Sequence, residues 1–208
     1  MVVPVARAGV RVTLARRVGS FTLKGEVEVD ESYLSISDRK NPISPVGRKS
    51  NTSKVLVAIA VEMLEPKGFG RIRIRQIREG DSESLMPFIR ETVRPGSLIH
   101  SDGSPAYRNL DELGYQHRRT VHLGSDTPAH DSMPGVHRVA ALLQRWLLGT
   151  HHGAVQPGQL DYYLDEFVFR FNRRTSASRG LLFYRLLQQA VVTEPVTCNM
   201  VANGVKMT

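Results

Sequence analysis

The chain has 208 residues, a formal net charge of +8 and one cysteine. The length suits one well-cored domain with at most a small appendage. The lone Cys198 excludes an internal disulfide and a cysteine-based zinc ribbon. The excess of Lys and Arg favours a polyanionic partner such as a nucleic acid. A protein that is merely basic would carry the same charge, so charge alone leaves both interpretations open.

Nothing in the sequence predicts a membrane segment. The longest continuous aliphatic run, Val55 to Val61, is far too short to span a bilayer. Residues 1–20 carry arginines throughout and lack the apolar core of a secretory signal. We therefore expect a soluble intracellular protein without a membrane partner.

Three strands are predicted in the first half of the chain, over residues 25–34, 54–61 and 70–77. The first and third alternate apolar and polar residues, and the second is a near-continuous aliphatic run, as in a buried central strand. The intervening segment 35–53 is rich in Ser, Asn, Pro and Gly and predicts a basic loop carrying Arg48 and Lys49. The three strands are expected to form an antiparallel meander.

Helices then alternate with strands in the rest of the chain. We predict a helix with Leu85, Phe88, Ile89 and Val93 inward, a strand at 97–102 and a helix from Pro105 through Leu113. These are followed by a strand at 117–121, a helix opening at Pro134 and a helix at about 158–173. Asp81 or Ser82 is available as N-cap of the first helix. The order predicts an α/β fold, a ribonuclease-H-like mixed sheet in which three antiparallel strands precede alternating helices and strands, with helices flanking the sheet. In this arrangement the first and fourth strands are neighbours.

Two aspartates, Asp30 and Asp102, each close a short apolar strand. Because these strands are predicted to be neighbours, the two carboxylates should face each other. Clustered acids bind hard divalent cations, and two such ions can stabilise the attacking and leaving oxygens of a phosphoryl transfer. The turn preference of Asp-Gly would by itself also explain Asp102. Glu31 should point to the other face of its strand and receives no ligand role.

Four segments carry a resemblance to a known family: VEVDESYL, IHSDGSPAY, PGVHRVAALLQRWLLGTHHG and LDYYLDEFVFRFNRR. Over about residues 25–190 the chain resembles the catalytic core of bacterial insertion-sequence transposases of the DDE superfamily, in the ISXO-type branch. The resemblance implies a ribonuclease-H-like fold and DNA transposition by a metal-dependent triad, with Mg or Mn in a two-ion site. It places the first two metal-binding acids on Asp30 and Asp102.

The third position of the triad falls on His137, where most of the superfamily has glutamate; some members of this branch also have a non-acidic residue there. A neutral imidazole nitrogen suits Mg less than a carboxylate does and is more tolerable to Mn. Asp131 is a rival acid, placed second because it lies outside the helical pattern. The resemblance also leads us to expect a lysine two helical turns after the third ligand, but this position holds Gln144, with Arg145 beside it.

The candidate DNA-contacting residues are Arg145, Arg170, Arg173, Arg174, Arg48 and Lys49. Arg71, Arg73 and Arg75 alternate along the third strand and suit either phosphate contact or a strand edge that discourages pairing. The implied partners are element-end and target DNA and further copies of the chain, in the bacterial cytoplasm at the nucleoid.

Residues 1–24 are too few for the zinc ribbon and helix-turn-helix segment that precede the catalytic core in this branch. We therefore expect a remnant lead-in at 1–24, a catalytic domain at 25–190 and a flexible tail at 191–208. Two other functions remain open: an inactive relic that only binds DNA, and another ribonuclease-H-like nuclease that cleaves without joining.

Overall fold

The computed structural model describes residues 21–37, 52–66, 68–120, 132–151 and 155–191. The described residues form two compact units. One consists of residues 22–157, and the other contains residue 21 and residues 158–191. Arg48, Lys49 and Asp131 lie outside the described residues, as do residues 1–20 of the predicted lead-in and residues 192–208 of the predicted tail.

The unit formed by residues 22–157 is built on a five-stranded sheet, with β1 at Glu26–Ser37, β2 at Thr52–Met63, β3 at Phe69–Ile77, β4 at Leu98–Ser101 and β5 at Gln116–Arg119. The spatial order is β3-β2-β1-β4-β5. The first three strands are antiparallel, whereas β4 runs parallel to β1 and β5 parallel to β4. This topology confirms the ribonuclease-H-like mixed sheet and the neighbouring first and fourth strands.

Two helices cover opposite faces of this sheet, α1 at Ser82–Thr92 and α2 at Pro134–His151. On one face, Arg75 of β3 lies across the ring of Phe88 in α1. On the other face, Gly135 of α2 lies against Glu28 and Val61 of the central strands. Burial on both faces explains why β2 reads as a continuous aliphatic run.

The first turn of α1 and the segment before β1 are held by local hydrogen bonds. Asp81 is the N-cap of α1, accepting a hydrogen bond from the Ser84 backbone N–H at 2.9 Å. Leu23 is fully buried, and its backbone N–H donates to the carbonyl of Thr92 at 2.8 Å. The packed part of the chain therefore includes residues directly before β1.

The sequence prediction was wrong over residues 105–113. Two short 3-10 helices, Pro105–Tyr107 and Asp111–Leu113, replace the predicted helix. Tyr107 and Leu110 are both fully buried, and a spacing of three residues puts them on one side of a 3-10 backbone. Gly114 then ends the segment with a left-handed φ of 81°.

The other unit contains two described helices, α3 at Leu160–Asn172 and α4 at Arg179–Ala190. In α3, Leu160, Leu164, Phe167 and Phe171 are buried and Tyr163 is half-buried. In α4, by contrast, Leu181, Phe183, Tyr184 and Leu187 are exposed. No helix among the described residues has the length and apolarity needed to cross a membrane.

Candidate active site

The sheet brings Asp30 and Asp102 to neighbouring positions. The parallel register of β1 and β4 pairs Glu28 with His100. Asp30 follows Glu28 by two residues within β1, and Asp102 follows His100 by two residues, immediately after β4 ends. Both aspartates are half-buried. The prediction that Asp30 closes its strand was wrong, because β1 stays paired with β2 through Ser37. Asp30 thus lies within β1, beside the point where β4 ends and Asp102 follows.

Backbone hydrogen bonds orient both carboxylates. The Glu31 backbone N–H donates to Asp30 Oδ1 at 2.8 Å, and the Ser104 backbone N–H donates to Asp102 Oδ1 at 2.9 Å. The second contact is the local turn that the Asp-Gly sequence favours. The turn preference and the strand-end position thus act together at Asp102, and one does not exclude the other.

Glu31 adds a third carboxyl group to this region. Burial raises the pKa of Glu31 from 4.5 to about 7, the hydrogen bond from Tyr107 acts against that rise, and the charges of Asp30 and Asp102 add to it. Like charges held close together disfavour each other's ionised form. Burial is the largest cause of the raised pKa, and the charges of Asp30 and Asp102 are near enough to Glu31 to contribute.

A buried tyrosine links the two aspartate segments. The hydroxyl of Tyr107, a fully buried residue, donates to Glu31 Oε1 at 2.6 Å. Burial raises the pKa of this phenol well above its usual value, and the nearby carboxylates add to the effect. Glu31 follows Asp30, and Tyr107 lies on the 3-10 helix after Asp102. The similar segments DESYL and DGSPAY indicated that the two regions are related in form, but the sequence did not show that Glu31 and Tyr107 would be in contact.

The residues behind Asp102 are also tightly bonded. Ser101 is fully buried, and its Oγ lies 2.8 Å from His117 Nε2 on β5. The same Oγ donates to the backbone carbonyl of Asp102 at 3.1 Å. Burial lowers the pKa of His117, so the neutral ring is favoured. These bonds anchor the strand end that presents Asp102.

The third predicted ligand, His137, lies in the first turn of α2 and is half-buried. The backbone N–H of the preceding residue, Val136, donates to Glu28 Oε2 at 2.9 Å. The start of α2 is therefore fixed to β1 two residues before Asp30. Within the described part of the chain, no three His, Cys, Asp or Glu side chains are arranged as a ready metal site, so His137 does not complete a preformed group with the two aspartates.

The donor chemistry present at the strand ends fits a hard divalent ion. Mg²⁺ prefers oxygen ligands and is commonly held by one or two carboxylates together with substrate phosphates rather than by a full cage of protein ligands. Asp30 and Asp102 supply the two carboxylates on adjacent strands.

The predicted DNA-contacting arginines differ in their contacts. Arg145 is exposed on α2, and Arg170 is paired with Glu166 at 2.9 Å. Two others stack on aromatic rings, with the guanidinium of Arg173 3.9 Å from the centroid of Phe169 and that of Arg174 4.0 Å from the centroid of Phe171. Stacking leaves the edges of a guanidinium able to donate hydrogen bonds.

The three arginines of β3 have different environments, and Gln144, at the position where the resemblance predicts a lysine, makes a specific contact. Arg71 is exposed, Arg73 is buried, and Arg75 is ion-paired with Glu91. The amide of Gln144 donates to the backbone carbonyl of Tyr33 at 3.3 Å. Gln144 therefore ties α2 to the far part of β1, which the sequence pattern did not predict.

The chain is similar in sequence to one protein described as transposase-like and similar in structure to Mos1 transposase. An uncharacterized transposase-like protein of Haemophilus influenzae is 26% identical over 111 residues, covering 53% of this chain and 89% of that protein. The Mos1 transposase paired-end complex with the left transposon end is 12% identical over 84% of this chain, with a TM-score of 0.35. The catalytic domain of Mos1 mariner transposase is 10% identical over 91% of this chain and 96% of that domain, with a TM-score of 0.34.

This chain spans 61% of the Mos1 chain in the paired-end complex. The model of the ISXO2-like transposase domain family matches residues 22–172. The match covers all five strands, the helices α1 and α2, and α3 through its last residue. The chain therefore belongs to the ISXO2-like transposase domain family.

Proposed function

We propose that this chain is the catalytic domain of an insertion-sequence transposase that cleaves DNA at element ends and joins the ends to target DNA. The observation that carries the proposal is the placement of Asp30 within β1 and of Asp102 directly after β4, each two residues beyond the paired residues Glu28 and His100 of these adjacent parallel strands. Burial is the largest cause of the raised pKa of Glu31, and the charges of this pair of oxygen donors add to it. Membership of a transposase family makes DNA the substrate to test first.

In this proposal Asp30, Asp102 and His137 hold two divalent ions. When bound, such ions would supply an activated water and neutralise charge on the attacked phosphate. Asp30 would bind both ions, Asp102 would hold one of them, and His137 would complete or orient the site of the other. The protein's own contribution would be to hold the two aspartates on neighbouring strands and His137 at the start of α2.

The nitrogen ligand at position 137 affects which ion suits the site. An imidazole is a softer donor than a carboxylate, and it suits Mn²⁺ better than Mg²⁺. We therefore expect higher activity with Mn²⁺ than with Mg²⁺. His137→Glu restores the residue type that most of the superfamily has at this position, and it should reverse that preference.

The basic surface would bind the DNA backbone. The chain carries 28 Lys and Arg against 20 Asp and Glu, and this excess favours a polyanion. In the proposal, Arg145, Arg173 and Arg174 contact phosphates, and the stacking on Phe169 and Phe171 orients the last two. Joining both ends of an element also calls for two active sites, so the proposed partner set includes a second copy of the chain.

A second candidate function is a folded relic that binds DNA and catalyses nothing. One observation favours it: within the described residues, no three potential metal ligands form a ready group. Titration with Mn²⁺, first without DNA and then with duplex DNA, separates the two functions. A working site must bind the ion through Asp102 in at least one of these two conditions. Loss of Mn²⁺ binding in Asp102→Asn, measured with and without duplex DNA, supports the catalytic proposal.

The direct test uses a supercoiled plasmid that carries the gene for this chain with its flanking DNA, incubated with the purified chain and Mn²⁺ or Mg²⁺. Asp30→Asn and Asp102→Asn should lower nicking and joining by about 10²–10³-fold or more, as expected when one preorganised electrostatic group is lost from an active site. Asp111→Asn removes an exposed carboxylate from the second 3-10 helix and should leave the rate unchanged.

The results distinguish the remaining alternatives. Full activity in Asp30→Asn would overturn the assignment of the site. Cleavage without joining would instead indicate a nuclease of the same fold. DNA binding without cleavage, in a chain that also binds no Mn²⁺, would identify the relic.

A further inference from the structure

Glu28 is a buried carboxylate that the proposed chemistry does not use. It lies on β1 two residues before Asp30, and therefore on the same face of the strand. Only 2% of the residue is exposed. Burying a carboxylate is costly unless hydrogen bonds or opposite charge compensate it. The contacts of Glu28 therefore show what the fold gains from placing an acid there.

The compensating groups belong to the first turn of α2. Glu28 Oε2 accepts a hydrogen bond from the Val136 backbone N–H at 2.9 Å. Burial raises the pKa of Glu28, while backbone hydrogen bonds from Val136 and Gly135 act in the opposite direction. The first N–H groups of a helix have no partner within the helix, and its N-terminus carries partial positive charge. A carboxylate from β1 thus caps an 18-residue helix of the same unit.

Gly135 allows this close approach. A Cβ at this position would lie 2.8 Å from Glu28 Oε2, 2.8 Å from Met63 Sδ and 3.2 Å from Val61 Cγ1. The carboxylate could move away from such a Cβ only by changing its hydrogen bond to Val136. The absent side chain and the buried acid therefore work together to hold the start of α2 against the central strands.

We propose that Glu28 is a positioning residue that fixes the first turn of α2 on β1 and so holds His137 on the face of the sheet that carries Asp30. This inference rests on the proposed function, in which His137 is the third ligand. His137 directly follows Val136, the residue whose N–H the carboxylate binds. A change in this one hydrogen bond should therefore be transmitted to the ligand next to it.

The test is a double-mutant cycle between Glu28→Ala and His137→Ala, with the affinity for Mn²⁺ as the readout in the full chain. Partners that orient metal ligands typically contribute 10- to 100-fold to metal affinity. Each single variant should weaken Mn²⁺ binding by about 10-fold, and the double variant should bind no more weakly than either single variant. Glu28→Gln retains an acceptor oxygen and should lose much less affinity than Glu28→Ala.

Two controls separate positioning from general loss of stability. Ile72→Val trims a fully buried side chain on β3 and should lower the melting temperature without changing Mn²⁺ affinity. If Glu28→Ala does not fold, Glu28→Asp replaces it in the cycle, since this variant keeps the charge but shortens the reach to Val136.

The outcomes also separate this inference from the proposed function. If Asp30→Asn removes Mn²⁺ binding but the losses from Glu28→Ala and His137→Ala multiply, Glu28 does not act through His137 and the inference is wrong. Unchanged Mn²⁺ affinity in Glu28→Ala overturns it equally. If the unaltered chain shows no Mn²⁺ binding that depends on Asp30, the proposed function fails first, and the positioning role fails with it.

Discussion

The strand β1 presents Asp30 to two neighbours that are held in different ways. Towards β4, the continuous parallel register sets the position of Asp102, and the hydrogen bond from Tyr107 to Glu31 reinforces it. Towards α2, the position of His137 depends on helix packing and on the hydrogen bond from the Val136 backbone to Glu28. One neighbour is thus fixed by the sheet itself, and the other by a docked helix.

This difference teaches where the site is rigid and where it can adjust. A sheet register cannot slip by one residue without turning every side chain of the strand to the opposite face. A helix that packs on a sheet can shift by a fraction of a turn at lower cost, unless specific contacts prevent it. We therefore expect Asp30 and Asp102 to tolerate changes around them, whereas His137 should respond to single substitutions at the start of α2.

The substitution with the largest expected effect on stability is Gly135→Ala, which acts on the helix side of the comparison. Its Cβ would lie 2.8 Å from both Glu28 Oε2 and Met63 Sδ. Overpacking of this kind typically costs about 1–3 kcal/mol in the free energy of unfolding. Denaturant unfolding should show that loss, and Mn²⁺ affinity should fall as in Glu28→Ala.

Gly149→Ala is the matched control on the same helix. Apart from the helix itself, no atom of the described residues lies within 4 Å of a Cβ placed on Gly149. Replacing a glycine inside a helix by alanine is favourable by up to about 1 kcal/mol, so this variant should be neutral or more stable. Equal destabilisation by both substitutions would show that α2 as a whole, rather than its first turn, is sensitive to added bulk.

The sequence predicted that the strands carrying Asp30 and Asp102 are neighbours, but it did not predict the contacts that hold the start of α2 on β1. Alternation, aliphatic runs and the order of elements were sufficient to place the first and fourth strands together, and the topology confirmed it. The pairing of Asp30 with Asp102 followed from that order. These features could be predicted because strand pairing is governed by a repeating pattern along the whole strand.

The contacts of Glu28 and Glu31 had no such pattern. By alternation with Val27 and Val29, Glu28 reads as an exposed residue, yet it is buried because α2 covers that face. Glu31 reads as pointing away from Asp30, and its interaction with Tyr107 depends on a 3-10 helix that the sequence predicted as a regular helix. The burial of Glu28 and the hydrogen bond of Glu31 both result from contacts with segments distant in sequence. Such contacts do not produce a repeating residue pattern, so they could not be predicted from this one sequence.

Tyr107→Phe tests the strand side and should have a smaller effect than Gly135→Ala. The variant removes the hydroxyl that donates to Glu31 Oε1 at 2.6 Å. Loss of a single hydrogen bond typically lowers the free energy of unfolding by about 1 kcal/mol. If the sheet register alone positions Asp102, Mn²⁺ affinity will not change, whereas a loss of about 10-fold would show that the Tyr107 bond orients the ligands as well.

Tyr115→Phe is the control for this substitution. The Tyr115 hydroxyl donates to the carbonyl of Val93 at 3.0 Å, in a buried position away from the aspartate segments. The two variants should have similar free energies of unfolding. If Tyr107→Phe lowers the affinity for Mn²⁺ and Tyr115→Phe lowers it equally, the cause is a general loosening of the unit rather than the hydrogen bond to Glu31.

The smallest expected effect is a pH dependence of the free energy of unfolding that arises from His117 on β5. Burial lowers the pKa of His117 from its ordinary value of 6.5, with Asp111 opposing and Arg119 adding to the change. The folded chain therefore binds this proton less readily than the unfolded chain. The stabilisation from the neutral ring is present above pH 6.5 and is lost as the pH falls through the unfolded-state pKa towards the folded-state pKa.

Denaturant unfolding between about pH 7.5 and about pH 5.5, a window that spans the ordinary pKa of histidine, should show that the unaltered chain loses stability relative to His117→Gln as the pH falls. The difference between the two curves isolates His117 from Glu31, whose raised pKa gives a trend of opposite sign. His117 is hydrogen-bonded to Ser101, and the Thr120 amide donates to the Ser101 carbonyl. As the pH falls, the hydrogen-exchange protection factor of the Thr120 amide, which corrects for the slower intrinsic exchange at lower pH, should decrease before that of the Val136 amide. An equal decrease at both amides would mean that the strand and helix sides open together, and the distinction between them would then be wrong.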